Sequence, residues 1–530
     1  MKHLIISDTI LKMSKALFLS LFVSILIFIF FITVNINLPY VGPNATNFNV
    51  YSLIAHNFNK FGYLETKLAP IISVSEKYPA NPEYFFHHPT LLSFTESILF
   101  KIFGEQFWVG RLTVILFSLG SLFLIYLIGK NLLNETFGAI SALVFTLIPA
   151  STIWGKMIGQ EPLVLFFCLA ALYCSLIFLE KKENKYLILA GISLILGTLS
   201  DWPAIIFAFS LIFLFRKYSE VRKYSYVLVV AVGMFLLLLF YTYFLRNGFW
   251  DLQNAIGLRT ALGLSKDWLF FLPTQLIRIL IYLNSLFVLF TIAVGLYIYK
   301  KNKFKNLDKT SLTLLVFFSF FLIHQLLYAQ AVFSHNYLLY YSIPFFAFGS
   351  SYLIYILYTN KRYTYLSLAI LTSFIYLIVI SDYKNKQVES NLWRYEFAQK
   401  ISSYIPKYET VVLNQSYSVD PDLLWYPFSI NVMVSDDKSA NFYSKNYKYY
   451  IYSCIDSCPT NIKLLNTLGS EHKTTRIKTT QAEAYVIYLN EKKNDEDYVF
   501  LKTSPSNLLD GTFVKKIYNN LRSLLYTSQI

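Results

Sequence analysis

Charged residues are scarce in this chain of 530 residues. They make up 15% of the sequence, whereas hydrophobic residues make up 55%, and the mean hydropathy is +0.46. A chain with so little charge cannot cover a soluble fold of this length with a polar surface. The composition therefore excludes an ordinary soluble protein and predicts a membrane protein.

Glycine-rich phosphate-binding loops are missing from the sequence. Neither G-x-x-x-x-G-K-[ST] nor G-x-G-x-x-G occurs, so nothing supports chemistry driven by ATP or by a nicotinamide dinucleotide. No internal repeat of fixed period stands out either. Two large classes of enzyme and the repeat architectures are thereby disfavoured.

Cysteine is rare, with four residues in the chain. Cys168 and Cys174 lie in an apolar segment and are expected to be small buried hydrophobes. Cys454 and Cys458 lie in the polar C-terminal part, where a local disulfide is one option if that part is outside the cell. Two cysteines without further ligands nearby do not predict a zinc site.

Long apolar runs are what the chain has in abundance. Such runs are close to 20 residues long and can cross roughly 30 Å of hydrocarbon. They predict eleven membrane spans, at 16–34, 108–129, 137–154, 162–180, 186–200, 203–215, 224–245, 275–299, 311–328, 338–358 and 364–381. The short pair around Asp201 is also consistent with one re-entrant hairpin. The predicted fold class is a polytopic α-helical membrane protein with about 11 transmembrane helices.

Lysine and arginine gather in alternate loops between these runs. The clusters that fall on one side are Lys130, Lys181-Lys182, Arg216-Lys217, Lys300-Lys301 and Lys361-Arg362. The positive-inside rule makes that side, and the N-terminus, cytoplasmic. Loop 37–106, the turns 155–161 and 200–203, loops 246–274 and 329–337, and everything after residue 382 are then expected to face outward. The net charge of +15 thus reflects topology and predicts no nucleic-acid partner.

The composition changes after residue 381. Short apolar strands at Thr410 to Leu413, Tyr449 to Tyr452 and Ala484 to Leu489 alternate with helical stretches such as Leu392 to Tyr404. This pattern predicts a small α/β domain. We therefore expect a transmembrane catalytic domain at 1–381 with a large first outer loop 37–106, an extracytoplasmic α/β domain at 382–490, and a charged tail with an amphipathic segment at 491–530.

Ionisable residues at the outer membrane face are functional candidates, because burying them near lipid is costly. The outward polar set is Asn47, His87, His88, Arg111, Lys156, Glu161, Asp201, Arg246, Arg259, Arg278 and His335. Arg111 and Lys156 could instead extend to the membrane interface. Glu161 could be an acid in the first turn of a helix, and Asp201 could cap one. Neither alternative explains why histidines and carboxylates gather at one face.

Transfer of a sugar from a polyprenyl-phosphate carrier suits such a set of residues. A carboxylate acts as general base on the acceptor hydroxyl. Cations or histidines stabilise the phosphate as negative charge develops on it. A helix bundle supplies an apolar groove for the lipid tail. A single displacement at the anomeric carbon inverts configuration and needs one placed carboxylate.

Between about residues 15 and 381 the sequence resembles the GT-C glycosyltransferases, in particular the branch of protein O-mannosyltransferases and bacterial lipid A aminoarabinose transferases. The elements similar to that family are Tyr51 to Asn57, Phe61-Gly62, His88-Pro89-Thr90-Leu91, Phe103-Gly104, Gly110-Arg111-Leu112, Gln160-Glu161-Pro162, Ser200-Asp201-Trp202-Pro203 and His335-Asn336-Tyr337 with Pro344. The likeness rests on the order and spacing of these elements.

One position departs from the family pattern. The family places Asp four residues before the loop tyrosine, here Tyr51, and this chain has Asn47. An amide cannot accept the proton, so the resemblance implies that Glu161, or secondly Asp201, acts as the base or orients the acceptor. An inactive relative that binds lipid-linked sugar remains an alternative.

The resemblance also implies roles for the other candidates. His87, His88, Arg111, Arg259 and His335 are expected to bind the lipid phosphate of the donor. Tyr51, Tyr84, Lys156 and Tyr337 are expected to position the acceptor or the loops. The expected partners are an undecaprenyl- or dolichyl-phosphate sugar, membrane lipids, and an acceptor that is a protein, a lipid or a glycan. No cofactor and no metal ligand set is predicted within one loop, which leaves open a divalent metal held by several loops.

Two further classes of protein fit the sequence less well. An oligosaccharyltransferase should carry Trp-Trp-Asp in its soluble domain, and the sequence has none. A transporter or flippase should show paired repeats and polar breaks at mid-membrane, whereas the polar residues here lie at one face. The sequence does not name the sugar, the acceptor or the lipid.

Overall fold

The computed structural model describes residues 15–42, 44–86, 88–215, 218, 230, 232–234, 259–260, 268–302, 308–414, 421–434, 443, 445–455 and 463–492. The chain divides into two compact units. The first contains residues 1–37, 86–385 and 526–530, and the second contains 38–85 and 386–525. Most of the first outer loop is thus grouped with the C-terminal region, whereas the sequence analysis grouped it with the spans.

The first unit is helical throughout its described residues. Its α-helices are Lys15–Thr33, Leu91–Phe103, Phe107–Leu132, Glu135–Leu147, Pro149–Ile153, Glu161–Lys181, Asn184–Ser200, Pro203–Phe215, Trp268–Tyr282, Ser285–Asn302, Lys309–Leu327, Ala329–Ser334, Ile343–Thr359 and Tyr363–Glu389, with a 3-10 helix at Asn336–Ser342. Their apolar composition and length confirm a membrane protein built of helices.

Five described segments are long and apolar enough to cross a membrane, or six if one bent pair of helices is a broken span. The five are Phe107–Leu132, Glu161–Lys181, Lys309–Leu327, Asn336–Thr359 and Tyr363–Ser402. Four shorter apolar helices add to them: Leu19–Thr33, Glu135–Leu147, Asn184–Ser200 and Pro203–Ile212. The predicted number of eleven stays a prediction, and most of the predicted span 224–245 lies outside the described residues.

Two of the predicted spans are each broken into two helices. Leu269–Tyr282 and Ser285–Lys300 meet at an angle of 107°, where Asn284 adopts a left-handed conformation with φ 66°, which asparagine tolerates better than most residues. The predicted span 137–154 ends at Leu147, and a short helix starts at Pro149. Proline disfavours a helical conformation in the residue before it, which explains that break.

Small residues bring neighbouring helices together. A Cβ atom at Gly138 would lie 2.6 Å from the carbonyl oxygen of Tyr126, and a Cβ atom at Gly349 would lie 2.6 Å from the Thr291 side chain. Ser350 Oγ donates to the carbonyl of Phe287 at 2.8 Å. Such contacts are typical of helix packing in membranes, where small residues allow close backbone approach.

The second unit is built on a five-stranded mixed sheet. Its strands are β1 Thr410–Leu413, β2 Asn431–Val434, β3 Tyr449–Ile455, β4 His472–Lys478 and β5 Ala482–Lys492, in the order β2-β1-β3-β5-β4. β1 is parallel to β2 and β3, whereas β5 is antiparallel to β3 and β4. The helices of this unit are Ala45–Phe61, Tyr63–Thr66, Leu392–Ser402, Pro421–Trp425 and Lys463–Glu471.

The three strands predicted from sequence and the helix from Leu392 are confirmed. Both faces of the sheet are covered. Val411 and Val486 pack in a core with Phe397 of helix Leu392–Ser402, whereas Val412 and Ile487 lie in a second core. Alternate residues of one strand therefore point to opposite cores, which explains why these strands are apolar along their whole length.

The cysteines divide as their surroundings suggested. Cys168 is buried and Cys174 is partly buried, and both are free. Cys454 is disulfide-bonded. Cys458, its predicted partner, lies outside the described residues, so that pairing stays a prediction.

Candidate active site

Three polar side chains from distant parts of the first unit form a hydrogen-bonded line. His88 lies in the loop before helix Leu91–Phe103, Asp201 joins helices Asn184–Ser200 and Pro203–Phe215, and Arg259 comes from a third segment. His88 Nδ1 lies 2.9 Å from Asp201 Oδ1, and His88 Nε2 lies 2.9 Å from Arg259 Nη1. The sequence-predicted His88, Asp201 and Arg259 are thus brought into contact.

The chemistry of the two end groups fixes the state of the imidazole in this line. A guanidinium can only donate and a carboxylate only accepts, so Nδ1–H of His88 donates to Asp201 while Nε2 accepts from Arg259. Burial lowers the pKa of His88, although Asp201 acts in the opposite direction. The imidazole is therefore neutral, with its proton on Nδ1.

Asp201 is held as a carboxylate. Burial alone would raise its pKa, but His88, Arg259 and the backbone N–H of Trp202 together hold the pKa below its usual value. That N–H lies 2.8 Å from Oδ1, the same oxygen that His88 approaches. Asp201 therefore orients His88, and its Oδ1 accepts two hydrogen bonds.

Glu161 begins helix Glu161–Lys181, and its side chain is 3% exposed. The turn before it is held by Ser118, whose Oγ donates to the carbonyl of Gly155 at 2.8 Å and lies 3.1 Å from the Tyr340 hydroxyl. Glu161 Oε2 is buried and has no hydrogen-bond partner among the described residues. The charges of Asp201 and Arg259 both act on this carboxylate, so Glu161 lies near the line.

His335 and Tyr337 are neighbours, and the charge of Arg259 acts on His335. Their rings are 5.2 Å apart. Burial, followed by the positive charges of Arg259 and Arg278, lowers the pKa of His335 to about 4. Arg278 donates to the carbonyl oxygens of Val332 at 2.9 Å and Phe333 at 2.8 Å, which anchors the segment that ends at His335.

Arg111 and Lys156 are two cations that lie close together. Arg111 donates to the carbonyl of Ile36 at 2.8 Å, and Lys156 donates to the carbonyl of Val34 at 2.7 Å. Burial and the charge of Arg111 lower the pKa of Lys156 to about 7. Both side chains therefore bind carbonyls that follow helix Lys15–Thr33, which is the position where a helix favours cations.

The remaining predicted residues belong to the second unit or lie outside the described residues. Asn47 and Tyr51 belong to helix Ala45–Phe61 of the second unit, where the Tyr51 ring meets Phe85 edge to face at 6.1 Å. Tyr84 forms a backbone bridge with Ile71 in that unit. His87 lies outside the described residues.

Among the buried residues with an unpartnered polar atom, Tyr341 and His324 were not predicted as site residues. The Tyr341 hydroxyl and His324 Nδ1 have no hydrogen-bond partner in the described part of the chain, and their rings are 4.8 Å apart. The charges of Glu161 and Asp201 act on Tyr341. Both residues lie in apolar runs of the sequence, and such runs predict packing in the core. The isolated histidine was the one feature of the sequence that could have indicated a site residue here.

Within the described ranges, no group of three or more His, Cys, Asp or Glu side chains has an arrangement that could hold a metal ion.

Comparisons with known proteins bear on the fold that carries this site. Residues 87–244 match the family model described as dolichyl-phosphate-mannose-protein mannosyltransferase. The structure is similar to ArnT from Cupriavidus metallidurans bound to undecaprenyl phosphate, with a TM-score of 0.62 and 10% identity over 88% of this chain and 97% of that chain. No curated protein matches the sequence.

A second similar structure is the archaeal oligosaccharyltransferase AglB from Archaeoglobus fulgidus in complex with an inhibitory peptide and a dolichol-phosphate. Its TM-score is 0.52, with 12% identity over 89% of this chain and 74% of that chain. The chain thus has the fold of the GT-C glycosyltransferases. Within that class it resembles the mannosyltransferase and ArnT branch, as the sequence predicted.

Proposed function

We propose that this protein is an integral membrane glycosyltransferase that moves a monosaccharide from a polyprenyl-phosphate donor to a protein, lipid or glycan acceptor. The reaction takes place at the outer face of the cytoplasmic membrane by a single inverting displacement. The observation that carries the proposal is a buried carboxylate, Glu161, whose Oε2 has no partner in the described structure, near the Arg259–His88–Asp201 line.

Glu161 is the base in this proposal because Asp201 is already engaged. Asp201 Oδ1 accepts from both His88 and the Trp202 backbone. A buried polar atom left without a hydrogen bond costs about 1–3 kcal/mol, so this unpartnered oxygen is explained when a substrate hydroxyl supplies the partner. Glu161 then takes up the proton of the acceptor hydroxyl.

Arg259 and His88 recognise the phosphate of the donor. A guanidinium carries five N–H donors in a planar fork that suits phosphate oxygens, and the structure directs Nη1 to His88. Asp201 holds His88, and His88 holds Arg259, so the carboxylate orients the guanidinium without touching the phosphate.

The transfer step forms one bond to the anomeric carbon and breaks another. The acceptor oxygen gives its proton to Glu161 and forms a bond to the anomeric carbon of the sugar. The bond between that carbon and the phosphate oxygen breaks, and polyprenyl phosphate leaves with the electron pair and its negative charge. Arg259 stabilises this charge, which grows as the bond breaks.

The test uses membranes that contain the full chain and a panel of polyprenyl-phosphate monosaccharides with labelled sugars. We expect Glu161→Gln to lower transfer by about 100-fold or more, which is the range for loss of a general base. Asp201→Asn keeps an acceptor for His88 but removes the charge, so we expect a smaller loss that is carried mainly by weaker donor binding.

Three outcomes separate the possibilities. Full activity in Glu161→Gln would remove Glu161 as the base. Loss in Asp201→Asn that exceeds the loss in Glu161→Gln would exchange the two roles. Binding of the lipid donor without turnover, for every donor, would favour a non-catalytic relative, for which Asn47 at the family's acidic position is the supporting observation.

A further inference from the structure

Glycine at position 159 makes room for the Glu161 carboxylate. A Cβ atom built on Gly159 would lie 2.3 Å from Glu161 Oε2 and 3.2 Å from Met157 Cε. The first distance is far inside van der Waals contact. The carboxylate therefore occupies the space that any side chain at residue 159 would fill.

We propose that Gly159 is a positioning residue for the transfer reaction, because the missing side chain at 159 fixes where the Glu161 carboxylate meets the acceptor hydroxyl. This inference rests on the proposed function, in which Glu161 is the base. It adds one requirement to the presence of an acid at 161. A side chain as long as that of glutamate fits at 161 only if residue 159 has no side chain.

The fold itself does not need glycine at this position. Gly159 is not among the residues with positive φ, which are Gly42, Gly62 and Gly104 for glycine, so alanine can adopt its backbone conformation. The atoms that a methyl group would meet are the far ends of two flexible side chains, Glu161 and Met157. An alanine at 159 should therefore move the carboxylate and leave the helices in place.

Gly155 in the same turn shows the opposite situation. A Cβ atom there would lie 2.1 Å from the carbonyl oxygen of Ser151, which is backbone and cannot rotate away. Substitution of Gly155 is thus expected to damage the turn, whereas substitution of Gly159 displaces one reactive group. Two glycines four residues apart in one turn thus serve different purposes.

A shorter acid should relieve the collision. Aspartate lacks one methylene group of glutamate, so its carboxylate withdraws by about 1.5 Å, the length of one C–C bond. In a chain with alanine at 159, an aspartate at 161 can avoid the methyl group and keep a carboxylate in the site. This gives a rescue that a role in packing alone does not produce.

The experiment compares the wild type with Gly159→Ala, Glu161→Asp and the Gly159→Ala/Glu161→Asp double variant, in the full chain. Gly295→Ala is the matched control, because a Cβ atom at Gly295 meets nothing within 4 Å. We expect Gly159→Ala to lower kcat by about 10- to 100-fold, part of what a general base contributes. The KM for the lipid donor and the thermal unfolding midpoint should stay as in the control.

The double variant carries the decisive comparison. We expect it to be at least about tenfold more active than Gly159→Ala and similar to Glu161→Asp, so that the two effects fail to add as contacting residues do. Wild-type activity in Gly159→Ala would overturn the inference. Loss of activity without rescue by Glu161→Asp would also overturn it, and would leave Gly159 with a packing role.

A readout independent of turnover keeps the two proposals apart. An experimental structure of Gly159→Ala should show Glu161 Oε2 displaced from the methyl group and the helices unmoved. If the wild type transfers no sugar, the proposed function fails, and this structure still tests the positioning. A carboxylate in its original place, with the backbone shifted instead, would refute the inference in either case.

Discussion

Single polar residues in the first unit fall into two groups. His88, Asp201 and Arg259 satisfy one another in a line, whereas Glu161 Oε2, His335 Nδ1 and the Tyr341 hydroxyl have no hydrogen-bond partner among the described residues. Unpaired polar atoms destabilise a folded chain by about 1–3 kcal/mol each. In the proposed reaction, the acceptor hydroxyl supplies the partner that Glu161 Oε2 lacks.

His335 should make the folded state sensitive to mild acid. Its folded pKa of about 4 lies below the unfolded value of 6.5, because of burial and the charges of Arg259 and Arg278. A depressed pKa leaves the folded state binding fewer protons than the unfolded state, so the stability is fully present above pH 6.5 and is lost as the pH falls towards 4. At pH 5 the loss is about 2 kcal/mol.

The measurement is the thermal unfolding midpoint in detergent at pH 7 and pH 5, for the wild type and His335→Gln. Glutamine does not titrate, so we expect the midpoint of the variant to fall less than that of the wild type over this interval. Equal falls in both proteins would show that His335 does not carry the pH dependence.

At the scale of elements, the end of the first helix depends on two cations from elsewhere in the unit. Arg111 of helix Phe107–Leu132 binds the carbonyl of Ile36, and Lys156 of the turn before Glu161 binds that of Val34. Carbonyls at the end of a helix lack partners within the helix. These contacts connect helix Lys15–Thr33 to the turn that carries Glu161.

We predict that Arg111→Met lowers the stability by about 1 kcal/mol, because the partly buried carbonyl of Ile36 loses its donor. The thermal unfolding midpoint in detergent reports this loss. Lys130→Met is the control, since the Lys130–Glu135 pair is partly exposed and such pairs contribute at most about 1 kcal/mol. An unchanged midpoint with a raised KM for the lipid donor would support the phosphate-binding role that the sequence suggested for Arg111.

At the scale of the whole molecule, orientation is open to direct measurement. The positive-inside rule puts Lys361 on the cytoplasmic side and Ser403 outside, and both are exposed. We expect a membrane-impermeant maleimide to label Ser403→Cys in intact cells and Lys361→Cys only after the membrane is opened. The reverse pattern, or labelling of both in intact cells, would contradict the proposed topology.

The sequence predicted those elements that can be recognised from their own apolar residues. β1, β3 and β5 alternate or run apolar and were found, whereas the half-exposed β2 and the polar β4, with His472, Lys473 and Arg476 among its residues, were missed. β4 is a strand because it pairs with β5 along the edge of the sheet. That pairing depends on tertiary structure, so local composition could not show it.

The site shows the same division. The types of residue at the outer face indicated a phosphate-linked substrate, and the structure places His88, Asp201 and Arg259 in contact. Their pairing joins positions 113 and 171 residues apart, and no spacing rule gives such a partner. The role of Gly159 could not be predicted from the sequence, because it depends on the missing Cβ atom that leaves space for the Glu161 carboxylate.

The space above Gly159 has a consequence for the history of this group of proteins. In a lineage with aspartate at position 161, a change to glutamate is tolerated only if residue 159 is already glycine. After a change from glutamate back to aspartate, residue 159 is free to vary. The two positions should therefore change together across relatives, with glutamate accompanied by glycine and aspartate by a wider range of residues. Position 159 would then serve as a marker of which acid a related enzyme uses.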